Sequence, residues 1–282
     1  MIKTYVGNSG VKGVPKIYAG VSGVKKVIRA YAGVSGTPKL VFIADWWRPE
    51  GVSLANVLAA YQFKGRSSDT EALKDLTGHG YGLGKTSQEV WGTTYTPTLN
   101  SSYGYYFAEA WYGNCGYLNN TNLNNQNIKC IIIRYSGLSR QERGFLVGAC
   151  GSHGRAQIYA ATGYYNNSEH YVNIGTPGFV SSYGGNGSIK YRSGGMNSGV
   201  ICVNFDSNQM YINGSLTAES LATKSGVFTD LNTKKTFGNT HSGMSDWNNQ
   251  FHAAKYIQAA AFYSVELSAN QQREVYKRIT EL

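Results

Sequence analysis

The sequence contains few charged residues and no long hydrophobic run. Only 15% of its 282 residues are charged, whereas 35 are glycine and 22 are tyrosine. Tyrosine is common on half-buried sheet surfaces and glycine in tight turns, so this composition indicates an all-β protein. No run approaches the length that spans a membrane, and Met1-Ile2-Lys3 leads into a repeat rather than an apolar signal core. We therefore expect synthesis in a cytoplasm, no signal peptide and no membrane partner.

Cysteine is scarce and widely spaced. There is no C-x-x-C pair and no histidine at ligand spacing among the four, which are Cys115, Cys130, Cys150 and Cys202. This spacing indicates neither a zinc site nor a disulfide framework, so we expect buried free thiols. The D-x-D loop typical of calcium sites is also missing. The sequence predicts no cofactor and no required metal.

Acidic residues are absent from the first 42 positions. The basic residues in this segment are Lys3, Lys12, Lys16, Lys25, Lys26, Arg29 and Lys39. These seven supply most of the net charge of +10, and the rest of the chain is nearly balanced. A basic segment can bind nucleic acid or an anionic surface. Lysine on narrow strands also prevents edge-to-edge aggregation, and we favour this explanation, so no nucleic-acid partner is expected.

The same segment contains an internal repeat. Three units align with Tyr5, Tyr18 and Tyr31 in register: K-T-Y-V-G-N-S-G-V-K-G-V, K-I-Y-A-G-V-S-G-V-K-K-V and R-A-Y-A-G-V-S-G-T-P-K-L. Each unit predicts one short strand around the tyrosine and a turn at x-S-G. Strands this narrow cannot bury an apolar face alone, so the units need a partner, for which other chains are candidates.

These Tyr-x-Gly-x-x-Gly repeats resemble those in structural proteins of tailed bacteriophages, where they precede distal binding domains. The resemblance covers residues 1 to about 42. It implies an assembly or attachment module that contacts other virion proteins, a homo-oligomer and a location in the virion. The alternative is a surface hairpin array of a bacterial protein.

The composition changes after the repeat. Pro49 blocks a continuing ladder, which predicts a linker at 43–56 between a repeat module at 1–42 and a second domain at 57–282. Trp46 and Trp47 in this linker are candidates for a sugar-stacking platform. Paired tryptophans at a boundary more often pack one module against the next, and packing is our prediction.

The second domain consists of predicted strands followed by one helix. An opening strand is predicted at 57–63, and the apolar run at 128–135 predicts a strand buried on both faces. Further strands are predicted at 145–150, 156–161 and 257–263. Ser268 and Gln271 form a capping box before a helix. The apolar face of that helix comprises Val275, Tyr276, Ile279 and Leu282.

A hairpin is predicted at 200–216, V-I-C-V-N-F-D-S-N-Q-M-Y-I-N-G-S-L. Its first turn lies at Asp206-Ser207-Asn208, and Asn213-Gly214 supplies the positive φ of a second turn. This hairpin, the opening strand with the Asp75 to Leu83 turn, and the closing strand and helix resemble concanavalin A-like (laminin G-like) jelly rolls. The resemblance spans about residues 57–282 and implies a two-sheet antiparallel sandwich with lectin-like binding.

Catalytic motifs are missing. The Glu-x-Asp-x-Glu strand motif of one family of jelly-roll glycosidases is absent, and the nearest spacing, Asp69-x-Glu71, lies in a polar turn. Gly84-Lys85-Thr86 lacks the earlier glycine of a phosphate-binding loop. The five histidines are scattered, with no nucleophile elbow around a serine. We therefore predict a non-enzymatic protein.

Carbohydrate binding is the remaining chemistry. Exposed aromatics stack on sugar rings, and asparagine or aspartate side chains bind the hydroxyls. Three loop-like stretches, at 163–170, 181–186 and 239–249, combine these residue types. The candidate residues are Tyr164, Tyr165, Asn166, Asn167, Tyr183, Asp246, Trp247 and Asn248.

The leading hypothesis is a tail-associated phage virion protein that binds a host surface polysaccharide through the lectin-like domain. One alternative is a virion decoration protein that makes only protein contacts. Another is a glycan hydrolase or lytic enzyme with an unrecognised site.

Overall fold

The structure is a computed structural model of the chain. It describes residues 29–34, 37–43, 45–90, 92–107, 116–120, 122–138, 144–150, 155–162, 170–175, 189–193, 198–207, 209–216, 234–238 and 254–282. Within these ranges, no helix has the length and apolar character needed to cross a membrane.

Strands dominate the described residues. They are β1 (Arg29–Val34), β2 (Thr37–Ile43), β3 (Val57–Gln62), β4 (Gly84–Thr86), β5 (Gln88–Val90), β6 (Thr93–Tyr95), β7 (Thr98–Asn100), β8 (Gly104–Tyr106), β9 (Tyr117–Asn120), β10 (Cys130–Leu138), β11 (Gly144–Cys150), β12 (Arg155–Thr162), β13 (His170–Gly175), β14 (Ile189–Ser193), β15 (Ser198–Asn204), β16 (Gln209–Ile212), β17 (Ser215–Leu216), β18 (Lys234–Phe237) and β19 (Ala254–Tyr263). The α-helices are α1 (Asp69–Ala72) and α2 (Ala269–Thr280), and single 3-10 turns lie at Leu54–Asn56 and Asn122–Asn125.

Two antiparallel sheets form a sandwich in the described part of the chain. The first, in the order β17-β16-β15-β10-β19-β8-β7, has eight strands because β3 also pairs with β19. The second has seven, in the order β14-β13-β12-β11-β18-β9-β4. The hairpins β1-β2 and β5-β6 each form a two-stranded sheet. The predicted all-β sandwich with a short C-terminal helix is therefore confirmed.

Strand β10 lies at the centre of the eight-stranded sheet, between β15 and β19. Ile131, Ile133 and Tyr135 point into the core between the two sheets. Cys130 and Ile132 point to the outer face and are buried in a second cluster. The continuous apolar run therefore corresponds to a strand covered on both faces, as the sequence predicted.

The second cluster is formed where the tryptophan pair and α2 cover part of the outer face. Trp46 is 1% exposed and Trp47 is 3% exposed, and both pack in the same cluster as Val275 and Ile279 of α2. The hydroxyl of Tyr263 donates to the Trp47 carbonyl at 2.6 Å. The prediction that the tryptophans pack is confirmed, and they pack against the sandwich and its helix. That they join one module to the next remains a prediction.

Helix α2 is also held by the backbone around the tryptophans. Arg278 donates to the Arg48 carbonyl at 2.8 Å, and Gln271 donates to the Glu50 carbonyl at 3.1 Å. Ser268 and Gln271 form the predicted capping box. Part of the predicted linker is thus bound to the sandwich, whereas the division into modules at 1–42 and 57–282 remains a prediction.

The predicted central hairpin is present as β15, β16 and β17. Asn213 and Gly214 have φ values of +50° and +79°, as the tight turn requires. The Asn213 side chain accepts a hydrogen bond from the Val200 amide at 2.9 Å, which ties the turn back to β15.

Two of the four cysteines have described side chains. Cys130 and Cys202 are buried and free, with their Sγ atoms 3.5 Å apart on neighbouring strands. The expectation of buried free thiols is confirmed for this pair.

A bulge interrupts β19. Ala259 pairs with Arg134 and Ile257 pairs with Tyr135, so Gln258 is an extra residue with no opposite partner on β10. The side-chain amide nitrogen of Gln258 donates to the Ser136 hydroxyl at 3.2 Å. The bulge lets Ile257 remain in the core and turns Tyr256 to the outer face.

Replacing the Trp46 side chain tests the packing of the segment before β3. Trp46→Ala removes a buried indole between the sheet and α2, so we expect the free energy of unfolding to fall by about 3 to 5 kcal/mol in urea titration. Leu54→Ala, at a side chain that is 40% exposed, is the control and should change little. A loss below about 1 kcal/mol for Trp46→Ala would contradict this packing.

Candidate functional site

A row of side chains crosses the outer face of the eight-stranded sheet beyond the part that α2 covers. Register pairs Thr98 with Tyr106, Tyr106 with Tyr256, Tyr256 with Ser136 and Ser136 with Ser198. Directly paired residues lie on the same face of a sheet, so these five side chains form one line over five strands.

The alternation along each strand explains why this row faces outward. Leu99, Tyr105 and Ile257 form the neighbouring row and lie in or against the core between the sheets. Side chains one position away on a strand point to the opposite face, so Tyr106 and Tyr256 point away from that core.

The β7-β8 turn brings a third tyrosine to this row. Gly104 has a φ of +98°, and a Cβ placed there would lie 2.2 Å from the Ile257 carbonyl oxygen. Only glycine allows β8 to approach β19 this closely. Asn100 accepts hydrogen bonds from the Ser102 and Tyr103 amides at 3.0 and 3.1 Å and so fixes the turn.

Tyr103 and Tyr106 both lie beside Tyr256, so the three tyrosines form a cluster. The ring centroids of Tyr103 and Tyr256 are 5.3 Å apart with an angle of 35°, and those of Tyr106 and Tyr256 are 5.5 Å apart with an angle of 48°. Tyr103 is 54% exposed. A cavity of about 370 Å³ opens here, lined by Thr98, Leu99, Asn100, Tyr106 and Tyr256. We call Thr98, Asn100, Tyr103, Tyr106 and Tyr256 the tyrosine groove.

The groove combines apolar ring faces with polar groups at its margin. Thr98 and Asn100 are exposed, and Ser136 is half-buried at the other side of Tyr256. Aromatic faces can stack on the apolar C–H face of a sugar ring, while hydroxyl and amide groups can bind its hydroxyls. This arrangement is suited to a carbohydrate.

The groove is anchored from the core side. The Tyr105 hydroxyl donates to Asp69 at 2.7 Å, and Lys85 forms an ion pair with the same carboxylate. Partial burial of Asp69 opposes its ionisation, but the hydrogen bonds from Lys85 and Tyr105 outweigh it and lower the pKa of this carboxyl. The charged acceptor holds β8 in place.

Neither carboxylate of the Asp69-x-Glu71 pair is arranged as a general acid. The Ser67 amide and hydroxyl donate to Glu71 and lower its pKa, and the pKa of Asp69 is lowered too. A glycosidase acid needs a raised pKa. His79 lies in the Asp75 turn, with Nδ1 3.3 Å from the Leu58 carbonyl oxygen. Among the residues the structure describes, no three histidine, cysteine, aspartate or glutamate side chains are grouped to hold a metal ion.

The sequence-predicted site lies elsewhere in the chain. Its eight residues, Tyr164, Tyr165, Asn166, Asn167, Tyr183, Asp246, Trp247 and Asn248, are all outside the described residues, so they remain a prediction. The tyrosine groove was not predicted. The alternation in Y-G-Y-Y-F at 103–107 was a usable signal for an outward tyrosine, but its pairing with Tyr256 is not visible in the sequence.

Comparisons with known proteins show the fold. No protein-family model and no curated protein match the chain. Among solved structures, the chain is similar to botulinum neurotoxin type C, whose cell entry depends on interaction with two ganglioside molecules. The two are 12% identical with a TM-score of 0.50, and the match covers 80% of this chain and 52% of the toxin chain. The chain thus spans about half the length of that neighbour.

Two further structures are similar at lower scores. Domain 4 of the arabinanase AbnA from Geobacillus stearothermophilus, in complex with arabinotriose, is 18% identical with a TM-score of 0.49, covering 78% of this chain and 98% of that one. The CBM40 of the Ruminococcus gnavus IT-sialidase is 14% identical with a TM-score of 0.40, covering 55% and 85%. At 12% identity, the similarity to the botulinum neurotoxin shows a shared β-sandwich fold and no more.

The contact between Tyr105 and Asp69 has a defined pH dependence. Because the folded pKa of Asp69 is lowered, its stabilisation is present above the unfolded value of about 3.9 and is lost as pH falls through the folded pKa. We expect Asp69→Asn to lower the free energy of unfolding by about 1 kcal/mol at pH 7, and the difference from wild type to narrow below about pH 4. Urea titrations across pH measure this.

Glu89→Gln, at an exposed carboxylate, is the matched control and should match wild type at each pH. If Asp69→Asn lowers the free energy of unfolding by the same amount at every pH, the charge of Asp69 does not stabilise β8.

Proposed function

We propose that this chain is a non-enzymatic carbohydrate-binding protein of lectin type, with the tyrosine groove as a sugar-binding site. The observation that carries the proposal is the position of Tyr106 and Tyr256 on the outer face beyond the part that α2 covers, where both line a cavity of about 370 Å³ and the Tyr103 ring lies 5.3 Å from that of Tyr256. Pockets that bind small ligands have volumes of this order and combine aromatic walls with a few polar groups.

The exposure of Tyr103 supports a sugar site over a purely structural role for the cluster. Tyr61, Tyr105 and Tyr263 are fully buried and fill the cores. Tyr103 is more than half exposed, so its ring contributes little to the core. An exposed aromatic that is held in place by two turn hydrogen bonds at Asn100 is preorganised for contact with a ligand.

The shared fold is consistent with this proposal. The botulinum toxin neighbour interacts with ganglioside molecules, and the arabinanase domain was solved with arabinotriose. These ligands belong to those proteins, and the present chain shares only the sandwich with them. The class of ligand, a carbohydrate, is what we propose for this chain.

A finer proposal places the protein in a phage virion. The repeats at 1–42 would attach it to other virion proteins as an oligomer, and the sandwich would bind a host surface polysaccharide. Several copies would turn weak sugar contacts into a useful avidity. This proposal is supported by the resemblance of the repeats to those of tailed-phage structural proteins and by the order of the modules.

Substitutions in the groove test the site. We expect Tyr103→Ala and Tyr256→Ala each to weaken binding to immobilised glycans by about tenfold, because each removes one stacking ring. Binding is measured on a glycan array and then as a dissociation constant for the strongest ligand. Leu216→Ala, 56% exposed on β17 at the opposite edge of the sheet, should bind as wild type. Glycan binding that both tyrosine substitutions leave unchanged would remove the groove as the site.

Incubation of the protein with a polysaccharide that it binds distinguishes the three functional classes. We expect retention of the protein without release of reducing ends, because Asp69 and Glu71 are the closest match to a glycosidase pair and both have lowered pKa values. Release of reducing ends would favour the hydrolase alternative. A protein that neither binds nor cleaves any glycan would favour a decoration role that involves only protein contacts.

A further inference from the structure

Three basic residues lie near Gln62 at the end of β3. Arg66 donates to the Gln62 amide oxygen at 3.3 Å, and the Gln62 amide nitrogen donates to the Lys64 carbonyl at 3.1 Å. Gln62 pairs with Ala259, which pairs with Arg134, so Gln62 and Arg134 lie on the same outer face with only a small side chain between them. We call Lys64, Arg66 and Arg134 the basic cluster.

The basic cluster adjoins the tyrosine groove. The Lys64 amide donates to the Gln258 carbonyl at 3.0 Å, and the Gly65 amide donates to the Ser101 carbonyl at 2.7 Å. Lys64 and Gly65 therefore connect the bulge on β19 with the turn that carries Tyr103. Arg134 approaches the groove along β10. It lies two positions before Ser136 on the same face of that strand, and Ser136 pairs with Tyr256.

The positive charge of the cluster is only partly neutralised. Lys64 forms no ion pair with any residue that the structure describes. Arg134 donates to the Ile279 carbonyl at 2.5 Å, a neutral acceptor at the end of α2. Arg66 has a buried Nε without a hydrogen-bond partner among the described residues, and Glu71 is the carboxylate that acts on its charge.

Burial and then the charge of Arg134 lower the pKa of Lys64. An anion beside Lys64 would reverse both effects, since it would replace lost solvation and offset the neighbouring cation. The cation is thus held in a position where a negatively charged partner is favourable.

We infer that the tyrosine groove takes an acidic sugar, with the ring stacked on Tyr103 and Tyr256 and a carboxylate or sulfate group of the sugar bound by Lys64 at the edge of the basic cluster. This inference rests on the proposed sugar-binding function and specifies its ligand class. A neutral sugar would leave the basic cluster without an anion.

An array carrying neutral, uronic-acid, sialylated and sulfated glycans tests the inference with the full-length chain. We expect the protein to bind only the acidic glycans on the array. Comparison of the carboxylated with the sulfated glycans identifies which anion it binds. Lys64→Gln should weaken this binding roughly five- to tenfold, because it removes a charge-assisted contact at a partly exposed site. Lys64→Arg should retain binding, and raising the salt concentration should weaken it in the wild type.

Lys74→Gln removes an exposed lysine elsewhere on the surface and is the matched control for net charge. Equal unfolding midpoints for all variants establish that the fold is unchanged. Binding to acidic glycans that Lys64→Gln does not weaken would overturn the inference. So would binding to polyanions that survives Tyr256→Ala, since it would reflect general charge attraction.

The two levels of the proposal fail differently. Binding to neutral glycans that depends on Tyr256 but not on Lys64 would overturn the acidic ligand and leave the sugar-binding function in place. Absence of binding to every member of the array would overturn both.

Discussion

The packing of Trp46, Trp47 and α2 against β10 and β19 is the interaction on which the described structure depends. Both strands are apolar on two faces, with Ile131 and Phe262 in the core between the sheets and Ile132 and Ala261 on the outer face. A sheet that is apolar on both sides needs cover on both sides. The second sheet supplies one cover, and the tryptophan segment and the helix supply the other.

This cover ends partway along the two strands, and the chemistry of the outer face changes at that point. Under the helix and the tryptophan segment the side chains of these strands are alanine, cysteine and isoleucine, with Tyr263 at the end bonded to the Trp47 carbonyl. Beyond it they are Ser136, Tyr256 and Tyr106, which tolerate contact with water because each carries a hydroxyl. Arg134 lies at the boundary and binds the end of the helix. One sheet face therefore serves both as a core and as a candidate binding surface.

Local signals in the sequence predicted the local structures well. The apolar run at 128–135, the Asn213-Gly214 turn and the Ser268 capping box each depend on a few adjacent residues, and each is present as predicted. The tyrosine groove depends instead on pairing between Tyr106 and Tyr256, which are far apart in the chain. No periodicity within one strand indicates which distant strand lies beside it, so the groove could not be predicted. The residues chosen for their sugar-binding chemistry lie outside the described residues and stay a prediction.

The extra residue in β19 has a consequence for how such a surface can evolve. Strict alternation from Ala259 would place Ile257 outside and Tyr256 inside, and Gln258 reverses that order. Regular pairing through Gln258, without the bulge, would exchange the two side chains, removing an aromatic from the surface and an isoleucine from the interior in a single step. Deleting Gln258 would instead leave both orientations unchanged, because Ile257 would then directly precede the outward Ala259. The aromatic surface is thus tied to the bulge as much as to the composition of the strand. A sandwich with the same residues and a regular strand would lack it.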